Sequence, residues 1–447
     1  MVEVHAVGTL VNLLSSENMT IKEEITWILI NISSDDYWAV KEVIEYNTVP
    51  VIIEMLKDDN LHLISQNVCN NCIWILGNIA GDAKECREYI INNGVIQVII
   101  NLLNKILSGQ YVCEIKSLFE NILWVLGLIA KNETMTKQPD FDNILQSLLI
   151  VLNNYDNISE KEMKEIFFIF IYLTRENIGR LKIVQNNVIP FLMSIIFPSK
   201  PVNLYILIFV LRIFGNIIAG SNVYIKYMID QEILKIIDLY LDYVDSDVVK
   251  EVCRIISNIC EEPYNFTMLI VSNDNITNNI IIILYERPLE CKRECLYILN
   301  NIMKHDNRVE ILKIFLQKGF LNGLNECLKI NDVDLLRYTL NIIKKILEIF
   351  YSYSLTSNIV FEYMPYFNDS EIENSLDTLM NHKESLVYQL VNDILSVYFD
   401  TLKEEEDISI PNNFLFTNTK WEEYQSELIS IPNFSFDPDT NDDNMNY

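Results

Sequence analysis

The sequence predicts an all-α solenoid, a stack of similar helical repeats. The first observation is a pair of residues four apart, Trp74 and Asn78, which lie one turn apart on the same side of an α-helix. The second is that comparable pairs recur along the chain with a step of about 42 to 50 residues, which is a solenoid period. A length of 447 residues fits one long stack of repeats better than several unrelated domains.

Each repeat is predicted to hold three helices. In the second repeat, apolar residues are spaced as in a short, a medium and a long helix, at 39–46, 48–56 and 64–81. Three helices at this period are typical of the armadillo repeat and not of the two-helix HEAT repeat. We therefore expect a right-handed armadillo-repeat superhelical solenoid over residues 1–403, with about nine repeats, the first of them incomplete.

A sharp turn is expected between the first and second helices of a repeat. Asn93 and Gly94 mark such a turn, because Gly reaches positive φ without strain and Asn does so more readily than most residues. Asn47 and Asn187 occupy the equivalent places in other repeats. All three turns are therefore predicted to contain a residue with positive φ.

The chain is strongly acidic, with a formal net charge of −28. Such a field repels nucleic acid and attracts basic partners, although it also keeps a protein soluble without any partner. After residue 403 the composition changes to Asn, Asp, Ser and Pro with isolated aromatic residues. We expect residues 404–447 to form an acidic, mostly disordered tail.

Metal, cofactor and membrane chemistry have little support in the sequence. The nine cysteines are scattered, and Cys69 and Cys72 form a CxxC without a second half at zinc-ligand spacing. We expect buried, reduced thiols, no metal and no cofactor, in a cytosolic or nuclear compartment. The apolar stretch 204–220 has Arg212 at its centre, so no membrane partner is expected. No phosphate loop, nucleophile elbow or catalytic carboxylate pair is recognisable, which argues against an enzyme.

Two rows of side chains are predicted on one face of the stack. In an armadillo solenoid the third helices line the concave face, so residues that repeat there form parallel rows along a groove. The amide row consists of Asn31, Asn78, Leu128, Tyr172, Asn216, Asn258 and Asn301. The indole row, four residues earlier, consists of Trp27, Trp74, Trp124, Arg212, Arg254 and Tyr297.

These rows suit an extended peptide rich in lysine. Carboxamides can donate to and accept from the main chain of such a peptide. Indole faces can hold the methylene stems and cationic heads of Lys or Arg between them. Carboxylates such as Asp82 and Glu294, together with the acidic surface, would select for positive charge. The sequence therefore predicts a groove that binds a basic segment.

Burial in the core is the alternative for both rows. A tryptophan inside a long apolar helix is usually a core residue. Asparagine is different, because it is a poor helix former and because burying its amide without partners is unfavourable. Hydrogen-bonding residues at six of the seven amide-row positions favour the groove.

Several of these residues resemble the importin-α family, armadillo adaptors that carry proteins with basic nuclear localisation signals. WILGNIAGD at 74–82 is similar to the family's third-repeat signature. Tyr172 stands where the family's fifth repeat replaces Asn by Tyr, and Arg212 where its sixth replaces Trp by Arg. The segment from IENSLDTL to KEEED is similar to the family's last repeat and acidic end. The resemblance extends over nearly the whole chain.

The resemblance implies two grooves that bind peptides without covalent chemistry, with release by transport factors. Asp82 would pair with the key lysine of a nuclear localisation signal. The implied major groove consists of Trp27, Asn31, Asn71, Trp74, Asn78, Asp82 and Trp124. The implied minor groove consists of Arg212, Asn216, Arg254, Asn258, Glu294, Tyr297 and Asn301.

Some positions depart from the family pattern. Leu128 removes one amide, and Arg254 and Tyr297 replace two tryptophans of the family. Arg254 would repel a basic ligand unless it pairs with a carboxylate such as Glu251 or Glu294.

The implied partners are the Lys/Arg-rich signals of cargo proteins and, at the C-terminal repeat and acidic tail, a recycling exportin. The implied location is the cytoplasm and nucleus. The family's basic N-terminal segment, which binds importin-β, is missing, so either Met1 is not the natural start or ordinary importin-β coupling is absent. The alternative function is an armadillo scaffold for other extended peptide partners, not coupled to importin-β.

Overall fold

A computed structural model describes the protein at residues 6–111, 116–132, 141–153, 158–197, 202–261, 263–306, 308–357 and 363–399. This part of the chain forms α-helices joined by short turns and contains no strand. In chain order the helices are α1 (Val7–Leu13), α2 (Met19–Ser33), α3 (Tyr37–Glu45), α4 (Thr48–Leu56), α5 (Gln66–Asp82), α6 (Lys84–Asn92), α7 (Val95–Leu107), α8 (Lys116–Ala130), α9 (Phe141–Asn153), α10 (Glu160–Leu173), α11 (Asn177–Gln185), α12 (Val188–Ile196), α13 (Leu204–Ile218), α14 (Asn222–Asp230), α15 (Ile233–Tyr240), α16 (Ser246–Glu261), α17 (Tyr264–Val271), α18 (Asp274–Glu286), α19 (Leu289–Ile302), α20 (Arg308–Gln317), α21 (Phe320–Leu328), α22 (Val333–Ser357), α23 (Met364–Asp369), α24 (Ile372–Leu379) and α25 (Ser385–Ile394).

The helices group into three-helix armadillo repeats, which confirms the predicted all-α solenoid. The third helix is the longest of its repeat, and each third helix packs against the next one in the series. Apolar residues fill the space between the helices, with Phe167, Phe170 and Phe214 fully buried. The third helices are α2, α5, α8, α10, α13, α16, α19 and α22.

The chain divides into two compact units, Met1–Val391 and Asn392–Tyr447. The first unit contains the repeats from α1 to α24. In the second, the described residues are the end of α25 and a π-helical turn, Leu395–Phe399. The predicted acidic tail, 404–447, lies outside the described residues and stays a prediction.

The turns that enter the second helices have the expected backbone. Asn47 has φ of 56°, Gly94 of 84° and Asn187 of 55°, so all three are left-handed as predicted. Glu232 and Glu371 adopt the same conformation, with φ of 66° and 57°. The sequence did not indicate these two, because glutamate does not favour positive φ.

The described cysteines are buried and form no disulfide, as expected of reduced thiols. Burial raises the pKa of Cys86 to about 11. Within the described ranges, no group of three or more His, Cys, Asp and Glu side chains could hold a metal ion. None of the described helices is long and apolar enough to cross a membrane alone, although α6 and α7, bent by 71° at their junction, together meet the length and composition criteria.

Candidate functional site

The third helices present one continuous surface, here called the third-helix face. Because these helices pack side by side, one position repeated in each of them forms a row that follows the stack. Both predicted rows therefore run along this face. Its N-terminal half comprises α2, α5, α8 and α10, and its C-terminal half comprises α13, α16, α19 and α22.

Two indoles are exposed at the N-terminal end of the face. The side chain of Trp27 is 51% exposed and that of Trp74 is 37% exposed. Their ring centroids lie 6.5 Å apart with the planes at 84°, which is an edge-to-face contact. Core burial, the alternative left open by the sequence, is therefore wrong for these two tryptophans.

The third indole lies across the preceding helix. Trp124 is half-buried, and a Cβ atom added at Gly77 would lie 2.0 Å from its Cζ3 atom. Only a residue without a side chain leaves room for the ring at this point. The glycine in WILGN therefore positions an indole of the next repeat.

The amide row ties each third helix to the one before it. Nδ2 of Asn78 donates to the main-chain oxygen of Ile30 at 3.2 Å and to Oγ of Ser33 at 3.1 Å. In each such bond the main-chain acceptor directly precedes the amide-row residue of the previous repeat. The equivalent main-chain bonds join Asn216 to Ile171 at 3.1 Å, Asn258 to Gly215 at 3.1 Å and Asn301 to Ser257 at 3.0 Å.

This bonding corrects the role that the sequence suggested for the amides. The donor group was assigned to a peptide ligand, whereas Nδ2 is used within the protein. The bonds satisfy amides that would otherwise be costly to bury, and they fix the orientation of each side chain. Oδ1 takes no part in these bonds and can accept an N–H of a ligand.

Two amide-row positions in the N-terminal half follow a different pattern. Asn31 is exposed, and its Nδ2 donates at 2.9 Å to the main-chain oxygen of Trp27 in the same helix. Leu128 has no amide to reach α5. There, Nδ2 of Asn121 donates to Oδ1 of Asn70 at 3.0 Å and joins α8 to α5 instead.

The N-terminal half also contains an exposed carboxylate, that of Asp82. Asp82 is the last residue of α5, where the negative end of the helix dipole adds to its own charge. Its Oδ2 accepts from the thiol of Cys86 at 3.6 Å, and among the described residues no basic side chain pairs with it. Nearer the start of α5, Nδ2 of Asn71 donates to Oγ1 of Thr26 at 3.0 Å. Asp82 is therefore available to an external cation.

The centre of the face is aromatic and locally cationic. Tyr172 is buried, and its ring centroid lies 4.9 Å from that of Phe168. Nζ of Lys131 lies 5.8 Å and 5.9 Å from the two centroids, and the guanidinium carbon of Arg175 lies 4.3 Å from the Tyr172 ring. These distances are typical of cation–π contacts, so Tyr172 serves the protein's own cations.

The C-terminal half contains a chain of four alternating charges. Nη2 of Arg212 lies 3.0 Å from Oε1 of Glu251. The other oxygen of the same carboxylate, Oε2 of Glu251, lies 3.1 Å from Nη1 of Arg254. Nη2 of Arg254 lies 3.5 Å from Oε1 of Glu294. Burial raises the pKa of the Glu294 carboxyl, and Arg254 opposes that shift. The pairing that Arg254 required is confirmed, and it engages the carboxylate Glu294 that was predicted for a ligand.

The far end of the face also uses its polar groups internally. The ring centroid of Tyr297 lies 5.5 Å from that of Tyr338, and burial raises the pKa of Tyr297. Nζ of Lys345 in α22 donates to Oδ1 of Asn300 at 2.8 Å, next to the amide-row residue Asn301. Burial lowers the pKa of Lys345.

The sequence reasoning missed two members of the rows. Phe168 stands in the indole row of α10, and its position four residues before Tyr172 would have identified it. Lys345 stands in the amide row of α22, one repeat after Asn301. Phenylalanine and lysine depart from the Trp and Asn pattern that defines the two rows, so neither position stands out in the sequence.

Comparison with known proteins indicates importin-α-like relatives. No family model matches the chain. It is 25% identical over 233 residues to importin subunit alpha-1b of Oryza sativa subsp. japonica, which is 52% of this chain and 40% of that protein. It is 26% identical over 230 residues to the probable importin subunit alpha-A of Dictyostelium discoideum, covering 49% of this chain and 40% of that one. The match thus spans about two fifths of the length of these relatives.

A solved structure supports the fold. The chain superposes on a crystal structure of an engineered protein from the Northeast Structural Genomics Consortium with a TM-score of 0.67. The match covers 88% of this chain and 89% of the other at 19% sequence identity. At that identity the likeness concerns the fold alone.

Proposed function

We propose that the protein is a nuclear import adaptor that binds Lys/Arg-rich nuclear localisation signals of cargo proteins in the N-terminal half of the third-helix face. The observation that carries the proposal is the pair of exposed indoles, Trp27 and Trp74, on the same face as Asp82, a carboxylate available to an external cation. Similarity to importin alpha subunits over about half of the chain supports the same function.

The geometry suits an extended basic segment. The methylene stem of a lysine packs against an indole, while its ammonium group is attracted to the ring face and to Asp82. Oδ1 of Asn78, whose Nδ2 is held by α2, accepts from a main-chain N–H of the peptide. A net charge of −28 attracts such a ligand from a distance and repels acidic competitors.

The C-terminal half is the weaker site in this proposal. Glu251 and Glu294 already pair with Arg212 and Arg254, so a basic ligand would have to displace an internal guanidinium. The predicted minor-groove residues therefore contribute less to binding than the major-groove residues. The carboxylates that a second basic segment would need are the same ones that form these internal ion pairs.

The wider transport role belongs to the same proposal. An adaptor of this kind moves between the cytoplasm and nucleus, and its C-terminal repeat and acidic tail are proposed to engage a recycling exportin. Coupling to importin-β is a separate question, answered by mixing the two purified proteins. An armadillo scaffold without that coupling is the competing function.

Calorimetry with a short lysine-rich peptide tests the proposal. We expect micromolar or tighter binding that weakens as salt is added, because ion pairs at a surface are screened. Trp74→Ala removes an indole face and Asp82→Lys reverses the charge, so each should lower the affinity at least about 10-fold. A glutamate-rich peptide of the same length should not bind.

Trp38→Ala is the matched control. Trp38 is the most exposed tryptophan of the described residues, at 66%, but it lies on α3, a first helix away from the third-helix face. Its removal should leave the affinity unchanged. Equal losses from Trp38→Ala and Trp74→Ala, or peptide binding that ignores Asp82→Lys, would contradict the proposed site.

A further inference from the structure

Two cysteines of neighbouring third helices lie with their sulfur atoms in contact. Cys253 belongs to α16 and Cys295 to α19, and their Sγ atoms are 3.9 Å apart. Both side chains are completely buried, at 0% exposure. The contact therefore joins two consecutive repeats through residues that are 42 apart in the sequence.

The sulfur pair lies beside charged groups that join the same two helices. Cys253 directly precedes Arg254, and Cys295 directly follows Glu294. Nη2 of Arg254 lies 3.5 Å from Oε1 of Glu294, so an ion pair links α16 and α19 next to the sulfur atoms. This pairing favours the register of the two helices in which the thiols meet.

Another cysteine of α19 has a different partner. The thiol of Cys291 donates to the main-chain oxygen of Ser246, the first residue of α16, at 3.3 Å. Cys295 lies one turn further along α19, where it meets Cys253. The packing of α16 on α19 thus selects one pair among the thiols of these helices.

We propose that Cys253 and Cys295 form a reversible disulfide when the protein meets a peroxide, which links α16 covalently to α19. The sulfur atoms of a disulfide lie about 2.0 Å apart, so the two thiols have to approach by about 2 Å, a distance that side-chain rotation can supply. Both thiols are free in the structure, which is the resting state of such a pair. Disulfides of reducing compartments are usually transient and redox-sensing.

Each cross-link consumes one molecule of peroxide. The thiolate of one cysteine attacks a peroxide oxygen, which gives a sulfenic acid and, with the proton of that thiol, one water. The other thiol then attacks the sulfenic sulfur, so that the S–S bond forms and a second water leaves. Two thiols and one hydrogen peroxide give one disulfide and two waters, with the sulfur atoms oxidised and the peroxide reduced.

Burial makes the first step slow and the second step fast. The hydrogen bond with Cys295 and burial raise the pKa of Cys253, so little of its thiolate is present at neutral pH. Peroxide is a small molecule, and it reaches the pair when the packing of α16 on α19 opens locally. Once one sulfur is oxidised, the other is already in contact, so the sulfenic acid should be captured before further oxidation.

The cross-link should stabilise the C-terminal half of the third-helix face. It constrains the unfolded chain between residues 42 apart, so the oxidised protein should unfold at a higher urea concentration than the reduced protein. The affinity for a basic peptide in the N-terminal half should stay within about 2-fold, because distant sites act independently. The proposal does not rest on the basic-peptide function.

Peptide mapping of the full chain after treatment with hydrogen peroxide tests the proposal. We expect two tryptic peptides, 251–254 and 294–304, to be joined with the loss of two hydrogen atoms and to be separated again by dithiothreitol. A disulfide from either of them to peptide 255–292 would overturn the assigned pairing. Trypsin places Cys253 in 251–254, Cys295 in 294–304 and Cys291 in 255–292.

Single substitutions provide the controls. Cys253→Ala and Cys295→Ala should each abolish both the linked peptide and the oxidant-dependent shift of the urea midpoint. Cys260→Ala removes another completely buried thiol of α16 and should leave the link in place. Loss of the link in Cys260→Ala would contradict the assigned pair.

Refolding removes restricted access as an explanation of a negative result. The chain is unfolded in urea and returned to native conditions in a buffer of reduced and oxidised glutathione, so that every thiol is accessible before the fold closes. The same linked peptide should form. If neither peroxide nor refolding joins 251–254 to 294–304, the proposal is overturned.

Discussion

The two halves of the third-helix face use the same positions in opposite ways. In the N-terminal half the indole row holds Trp27 and Trp74, which face solvent, and Asp82 has no basic partner among the described residues. In the C-terminal half the same row holds Arg212 and Arg254, both paired with carboxylates of the next helix. In the N-terminal half the indoles and Asp82 are therefore available to an external cation, whereas in the C-terminal half the carboxylates already pair with the protein's own arginines.

This difference teaches that net charge alone does not locate a binding site for a basic ligand. A carboxylate that already holds a guanidinium offers little to a second cation, whatever the charge of the whole protein. Glu294 was predicted to be a ligand-binding residue on the strength of its charge, yet it pairs with Arg254. The available sites are those where an indole replaces the arginine.

The largest expected effect concerns the internal pairing of the C-terminal half. Glu251→Ala leaves Arg212 and Arg254 without their shared carboxylate, and breaking such a buried network should lower the free energy of unfolding by about 3–5 kcal/mol. Urea unfolding measures this loss. Peptide affinity at the N-terminal half should stay within about 2-fold, since distant sites act independently.

Glu261→Ala provides the comparison on the same helix. Glu261 pairs at 3.3 Å with Lys304, which lies in the turn after α19, and both side chains are more than half exposed. Because solvent screens this pair, its loss should cost less than about 1 kcal/mol. Equal destabilisation by the two variants would show that the buried network is not what distinguishes the C-terminal half.

The next largest expected effect concerns the contact between the Trp124 ring and Gly77 in the N-terminal half. Gly77→Ala places a methyl group where the indole now lies, 2.0 Å from Cζ3, and overpacking of this kind should cost about 1–3 kcal/mol. The displaced ring should also weaken peptide binding. Thermal unfolding and calorimetry measure the two losses separately.

Gly81→Ala is a matched substitution four residues later in α5. The nearest atom to its added Cβ would be Cδ1 of Leu128 at 3.9 Å, which is ordinary contact. Relief of the helix penalty of glycine should then raise stability by up to about 1 kcal/mol. A destabilisation as large as that of Gly77→Ala would mean that the ring of Trp124 is not the cause.

The fold could be predicted from the sequence because the same pattern of helices and turns recurs in each repeat. The period, the three-helix unit and the turns at Asn47, Gly94 and Asn187 all follow from local residue preferences that recur. The expected pairing of Arg254 was also found, because Glu251 lies three residues before it in α16 and Glu294 lies in the third helix of the next repeat. Because the repeats stack on one another, local patterns that recur at a fixed period also predict which helices pack together.

The rest could not be predicted because it depends on which group the neighbouring helix presents. The use of Nδ2 of Asn78 is decided by the carbonyl of Ile30 on another repeat, and no pattern within α5 reveals it. The bond from Asn121 of α8 likewise depends on Asn70, which α5 presents to it. Such features need the register between helices as well as their sequence.

The smallest expected effect separates the structural amides from the exposed one. Asn216→Ala removes the hydrogen bonds to Ile171 of α10 and to Thr174, the C-cap of that helix, and the loss should lower the free energy of unfolding by about 1–2 kcal/mol. Asn31→Ala removes only a bond within α2, at an exposed position, so stability should change by less than about 0.5 kcal/mol. Urea unfolding of both variants measures this contrast.

Peptide binding should show the reverse order. Asn31 belongs to the half that is proposed to bind the basic segment, and its loss should weaken the peptide several-fold, as expected for one neutral hydrogen bond of about 1 kcal/mol. Asn216 lies in the half occupied by internal ion pairs, and its loss should leave the peptide affinity unchanged. If Asn216→Ala weakens the peptide more than Asn31→Ala does, the division of the face is wrong, because the amides of the C-terminal half would then be contacting the ligand despite their bonds to the preceding helix.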